Sequence, residues 1–226
     1  MSKNQLLKRY FVFLAGLFIN SLGVSLITKS NLGTSPISSI PYVLSLHYIP
    51  TLGQFTILFS LLLIALQILI LGRKFQLISL LQIPVSIAFG YFIDLSMIML
   101  SWLNPSNYAY RAVSLLIGCL VLGFGVYIEV IADVVMLPGE AFVKAVTCRF
   151  STEFGISKVC FDASMTIGAG LLSFLFFHRL NGVGIGTIVA ALLVGLIARF
   201  LGKILHGLTC WLFEQELSDN SDIQAE

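Results

Sequence analysis

The chain is written as long apolar runs separated by short polar breaks. Runs from Tyr10 to Thr28, Leu52 to Leu71, Leu77 to Trp102, Ala112 to Ile131, Val159 to Phe177 and Val183 to Leu205 each approach the ~20 residues that a helix needs to cross the hydrocarbon of a bilayer. They predict six transmembrane helices. Two further stretches, Asn31 to Tyr48 and Val134 to Phe150, are moderately apolar but carry Pro, Gly, Ser and charges, which makes them too polar to span alone. They are expected to be re-entrant half-helices. The fold class that follows is all-α, a polytopic membrane protein.

Composition sharpens this. Of 226 residues, 58% are hydrophobic and only 11% charged, against roughly 25% charged in a soluble domain. A soluble globular domain, a disordered chain, a secreted disulfide scaffold and a nucleic-acid module are all excluded. Residues 1–213 are expected to form a single transmembrane domain. Residues 214–226, with Glu214, Glu216, Asp219, Asp222 and Glu226, read as a disordered acidic cytoplasmic tail. The first run follows basic residues, but its apolar stretch is too long for a signal peptide and no A-x-A site follows, so it is expected to be retained.

Charge placement sets orientation. With Lys3, Lys8 and Arg9 cytoplasmic, six crossings put Arg73, Lys74, Lys144, Arg149, Lys158 and Lys203 on that side, leaving Lys29, Arg111 and Arg179 outside. Both termini are therefore expected in the cytoplasm.

Shifting the chain by 102 residues superposes Arg9 on Arg111, Gly16 on Gly118, Gly23 on Gly125, Pro36 on Pro138 and Gly53 on Gly155. A three-residue adjustment then brings Gly90 onto Gly195 and Asp94 onto Arg199. Gly and Pro mark backbone events, so their recurrence in order at one offset predicts a duplicated unit. Each copy, about 9–102 and about 111–205, has three crossings and one half-helix. Three is odd, so the second copy must enter from the opposite face, an inverted 3+3 repeat of the kind many secondary transporters use. Gly16 and Gly23, with Gly118 and Gly125, are expected to let the first and fourth spans pack closely.

The half-helices carry the candidate chemistry. Thr34 and Ser35 precede Pro36, the pattern of a hydroxyl-capped helix start, and Pro138 with Glu140 repeats it in the second copy. Helix starts inside a membrane leave backbone N–H groups and a positive dipole end that need protein, water or a ligand. Two such tips meeting near the midplane would form a site between the copies.

The segments "LGTSPISSIPYVLS", "LGQFTILFSLLLI", "MLPGEAFVKAV", "FGISKVCFDASM" and "GIGTIVAALLVG" resemble the YczE/YitT-type family of predicted bacterial integral membrane proteins, from about Arg9 to about Leu205. The resemblance implies a bacterial inner membrane protein of a family without an assigned substrate. The chain departs from the family pattern at Gly184 and Ile185, where many members carry a charged pair before the "G-T-I" of the last span, so the resemblance implies no ligand role for that position here.

Ionisable groups inside spans are costly, about 2.5–3.5 kcal/mol on insertion scales, so each asks for a partner, a cavity or a route to the interface. Glu129 and Asp133, Glu140 and Lys144, and Lys158 and Asp162 lie four residues apart, hence on common helix faces. Glu140 and Asp162 are expected to line a cavity. Glu129, Asp133, Lys144 and Lys158 fit either coupling and pairing or simple interfacial salt bridging, and Arg199 fits snorkelling as well. Asp94 is expected to face the bundle interior and not to touch Arg199, its repeat partner at the opposite depth. The candidate substrate-binding residues are thus Thr34, Ser35, Ser38, Glu140, Asp162 and Asp94. His47, His178 and His206 suit interfaces, and Cys119, Cys148, Cys160 and Cys210 suit small buried fillers without metal-ligand spacing.

The expected function is secondary transport of a small polar solute by alternating access, with no cofactor, metal or nucleic acid. The alternative is an accessory or scaffolding membrane protein serving a partner. A homodimer or a membrane partner protein stays open beside the lipid bilayer and the solute. No enzyme motif such as H-E-x-x-H or G-x-S-x-G appears, and no phosphate loop of an ATP-driven pump.

Overall fold

A computed structural model describes residues 3–204, with side chains from residue 5 onward. The acidic tail, His206 and Cys210 lie outside the described residues. Among the described residues eight α-helices follow one another: α1 (Lys3–Lys29), α2 (Pro36–His47), α3 (Leu52–Leu71), α4 (Gln82–Met99), α5 (Tyr108–Ala132), α6 (Pro138–Phe150), α7 (Phe154–Phe177) and α8 (Ile185–Ile204). There is no strand among the described residues. Six helical segments among the described residues are long and apolar enough to cross a membrane: Gln5–Lys29, Leu52–Lys74, Leu77–Met99, Tyr108–Ala132, Phe154–Phe177 and Ile185–Ile204. The fifth starts five residues before its apolar run, at Phe154, and Lys158 and Asp162 pair along it at 2.8 Å. The two short helices, α2 and α6, have 12 and 13 residues, about 18–20 Å at 1.5 Å per residue and too short to cross hydrocarbon.

α1 and α5 form the spine. Their partners run in opposite order along the two helices: Arg9 Nη1 donates to the Ala132 carbonyl at 3.2 Å, and Ser114 Oγ donates to the Leu26 carbonyl at 3.2 Å. The helices are therefore antiparallel. Glycine permits the closeness. A Cβ on Gly23 would stand 2.5 Å from Leu122 Cα, and one on Gly125 would stand 2.5 Å from the Asn20 backbone nitrogen. The sequence expectation for these glycines holds.

Packing divides the helices into two groups. α4 lies on α1 and α8 lies on α5, so α1, α4, α5 and α8 form one group around the spine. α2 packs on α3 and α7, and α6 packs on the same two, so α2, α3, α6 and α7 form the other. The groups join where α3 crosses α4, with Gly53 and Gly90 backbone to backbone. No comparable packing joins α7 to α8. Glycines equivalent by the sequence offset stand free there: a Cβ on Gly195 would meet nothing within 4 Å, and one on Gly155 only Glu153 Oε1 at 3.8 Å.

The chain leaves the first group for the second through residues 30–35. This break needs backbone partners, and the start of α8 supplies them. Gly186 N–H donates to the Leu32 carbonyl at 2.9 Å, Thr34 N–H donates to Thr187 Oγ1 at 3.2 Å, and the Thr28 and Thr34 hydroxyls pair at 2.9 Å. Gly33 takes φ +135° with Thr187 against it, a conformation and a closeness that both require glycine.

Candidate functional site

A cavity of about 450 Å³ lies between the two groups. The spine group contributes Asn20, Val24, Leu122, Val126 and the α8 face from Ala190 to Arg199. The other group contributes the first turns of α2 and α6, Thr56 and Ser60 of α3, and Lys158 and Asp162 of α7. Most of the wall is apolar, with a few convergent polar groups, the usual make-up of a small-molecule pocket.

The two short helices begin at this cavity and touch. Ile37, in the first turn of α2, occupies the space that any side chain at Gly139 of α6 would need. Each helix opens with Pro in its first turn, where the missing N–H leaves no orphan donor. The hydroxyl cap expected at α2 does not form. Ser35 is the cap residue by backbone geometry, but its Oγ donates to Ser38 Oγ at 3.0 Å, since both side chains face the same cavity wall.

α6 is held by an amide pair that hydropathy does not single out. Gln67 and Gln82 exchange hydrogen bonds at 3.2 and 3.3 Å, and Gln67 Nε2 also donates to the Pro138 carbonyl at 3.1 Å. Both side chains are buried, so the pair satisfies itself and fixes the α6 tip. Glu140 follows in the first turn of α6, where a carboxylate suits the helix dipole. It lines the cavity half-buried and makes no hydrogen bond or ion pair with a described residue. Beside it, Lys158 Nζ and Asp162 Oδ1 form an ion pair at 2.8 Å, with side chains 30% and 17% exposed. Asn20 Nδ2 donates to Glu129 Oε1 at 3.0 Å, so Asn20 faces the cavity and Glu129 stands behind it.

Ser35, Ser38, Glu140 and Asp162 are therefore brought together, along with Lys158 and Arg199. Thr34 is not among them, because its hydroxyl and N–H are spent on the joint with Thr28 and Thr187. Asp94 is not either. It sits half-buried at the start of α3, accepting from Thr51 Oγ1 at 2.6 Å and from Gly53 N–H at 2.9 Å. Free donors at a helix start draw a carboxylate more strongly than the bundle interior does. No bond joins Asp94 to Arg199. Asp133 caps α5 in an exposed left-handed conformation, φ 45°, and Lys144 is exposed and unbonded to Glu140, so that couple does not pair. His47 stacks on Phe176 with centroids 4.4 Å apart, an aromatic contact at the end of α2. Cys119 is buried as expected, whereas Cys148 and Cys160 are exposed on outer helix faces.

Sequence reading missed Asn20, Gln67, Gln82 and Thr187. The available signal was an amide or hydroxyl inside an otherwise apolar run, which asks for a partner in hydrocarbon.

No solved structure matches the chain. A similar protein is "Uncharacterized membrane protein YczE" of Bacillus subtilis (strain 168), 29% identical over 199 residues, 88% of this chain and 87% of that one. A model described as a family of unknown function, DUF6198, matches residues 7–203. With its six candidate spans and that match over most of its length, the chain belongs to the family DUF6198, a family of YczE-type membrane proteins.

Proposed function

We propose that this protein is a secondary transporter of a small polar solute, built as an inverted 3+3 repeat with α2 and α6 as re-entrant half-helices. It sits in a bacterial cytoplasmic membrane with both termini inside. One observation carries the reading: the cavity lies between two helix groups that are joined at α3–α4 and apart at α7–α8. Such a cavity changes sides when one group tilts against the other.

The repeat is supported by reciprocity of contacts. Gly23 faces Leu122, and Gly125 faces Asn20, positions exchanged by the offset of 102. The lining follows the same exchange: Pro36 with Pro138, Ser38 with Glu140, Thr56 with Lys158, Ser60 with Asp162. The tilting bodies are not the two sequence halves. Each group draws two helices from either copy, α1 and α4 with α5 and α8, α2 and α3 with α6 and α7.

The solute that fits carries an amine beside a modest apolar part. Of the carboxylates lining the cavity, Glu140 is without a bonded partner among the described residues, Lys158 and Asp162 neutralise one another, Arg199 on α8 offers a cation to a carboxylate on the same solute, and the remaining wall is mostly aliphatic and aromatic. Ser35 and Ser38 supply hydroxyls from the facing tip. A panel of amines and amino acids, screened by thermal shift and then by uptake into proteoliposomes, tests this. Glu140→Gln and Asp162→Asn are expected to cut uptake by roughly tenfold or more, the loss of about 1.4 kcal/mol of binding. Uptake equal to the parent in both variants rejects the site.

A further inference from the structure

The junction at α3–α4 is locked by named atoms. Gly53 and Gly90 allow backbone contact, and the Asp94 carboxylate ties α4 to Thr51 Oγ1 and Gly53 N–H at the first turn of α3. Each of these positions has an equivalent at the other end of the bundle. Offsets of 102 and 105 carry Thr51 to Glu153, Gly53 to Gly155, Gly90 to Gly195 and Asp94 to Arg199. Glu153 is the residue that precedes α7, as Thr51 precedes α3. Arg199 lies on α8 where Asp94 lies on α4.

At the second end the glycines are present and the contact is not. Gly195 has open space around it, Gly155 has only its own neighbour Glu153, and both line the cavity. Glu153 and Arg199 are exposed and share no bond. A glycine costs helix stability, up to about 1 kcal/mol relative to alanine, and two of them facing a gap gain nothing in this conformation. Their placement becomes intelligible once the gap closes.

We infer that α7 and α8 form a gate that closes over the cavity by bringing Gly155 against Gly195 and Glu153 into an ion pair with Arg199. This rests on the transport reading and names how access to that site is controlled. The described conformation is the open form at this end. The α3–α4 junction is the closed gate of the other end, and its Asp94 clamp releases when the α7–α8 gate shuts. The two locks differ in chemistry: a hydroxyl and an amide N–H on a carboxylate at one end, opposite charges at the other. Closing the second therefore brings together two exposed, oppositely charged side chains, and salt weakens it.

The test uses the full chain in membrane vesicles with Cys119, Cys148, Cys160 and Cys210 replaced by Ala. Glu153→Cys/Arg199→Cys is oxidised with copper phenanthroline, and a disulfide between α7 and α8 is read by mass after proteolysis. A disulfide is expected. Adding Gly195→Leu is expected to lower its yield roughly tenfold while moving Tm of the unoxidised protein by no more than about 2 °C, since a Cβ at this position has nothing within 4 Å. In the native-cysteine protein, Glu153→Arg and Arg199→Glu singly are expected to impair uptake, and the double exchange to restore it. Absence of the disulfide, or a yield indifferent to Gly195→Leu, overturns the gate. Uptake by a protein that never cross-links discards the gate and leaves transport standing. A disulfide that forms as expected, in a protein that moves no solute, leaves the gate standing and discards transport.

Discussion

Gly23→Ala isolates the spine. Its new Cβ would lie 2.5 Å from both the Cα and the nitrogen of Leu122 and 2.6 Å from its Cβ, where carbon pairs rest at about 3.5–4.0 Å. The obstacle is backbone, so no rotamer relieves it and α1 must move from α5 by about 1 Å. Two effects compete. Alanine gains up to about 1 kcal/mol of helix propensity, whereas overpacking costs about 1–3 kcal/mol. A backbone obstacle places the overpacking cost in the upper part of that range, about 2–3 kcal/mol, so the net loss is about 1–2 kcal/mol, which lowers Tm by roughly 2–8 °C for a chain of this size. Gly195→Ala is the matched control, because its Cβ meets nothing within 4 Å and only the propensity gain remains. Gly23→Ala/Gly125→Ala is expected to lose less than the sum of the single losses, because one separation relieves both sites. Thermal unfolding of detergent-purified protein, followed by tryptophan fluorescence or circular dichroism, provides the values. A Gly23→Ala protein as stable as the parent would refute the tight antiparallel spine.

Two further substitutions probe the polar joints. Gln67→Leu removes the bonds to Gln82 and to the Pro138 carbonyl, leaving buried groups unmatched at a cost of about 1–3 kcal/mol; Gln67→Leu/Gln82→Leu should recover part of the lost Tm, and no recovery would mean the pair acts through packing alone. Asp94→Ala deletes both anchors of the α3–α4 lock, about 1.5–3 kcal/mol for each charged bond before relaxation. It should raise the thiol reactivity of a Thr56→Cys reporter towards an impermeant reagent on the face away from the N-terminus. Unchanged reactivity would show that Asp94 does not hold that end closed.

The six long helices were legible because an apolar run of spanning length has few other uses. The spine was legible too, since glycines recurring seven residues apart have a geometric meaning that composition does not dilute. The polar joints were not. Asn20, Gln67 and Gln82 each interrupt a run by one residue, and only the third dimension sets Asn20 beside Glu129 or Gln67 between Gln82 and the α6 tip. Asp94 illustrates a different gap: its charge was visible, but the donors that claim it sit 41 and 43 residues earlier in the chain. Cys148 and Cys160 show that apolar surroundings in sequence do not mean burial, because on a membrane helix the outer face is equally apolar. The grouping of helices was hidden for a topological reason. Sequence order suggests two halves, whereas packing interleaves them.

The stitched break at residues 30–35 has a mechanical consequence. It is one of the places where the polypeptide crosses from one bundle to the other, and its bonds to Gly186 and Thr187 involve the first turn of α8, at the end away from Arg199. If the groups tilt as proposed, a crossing so placed works as a fulcrum: the arms swing while the pivot barely shifts. The hydrogen bonds that seal exposed peptide groups against lipid can then survive every swing.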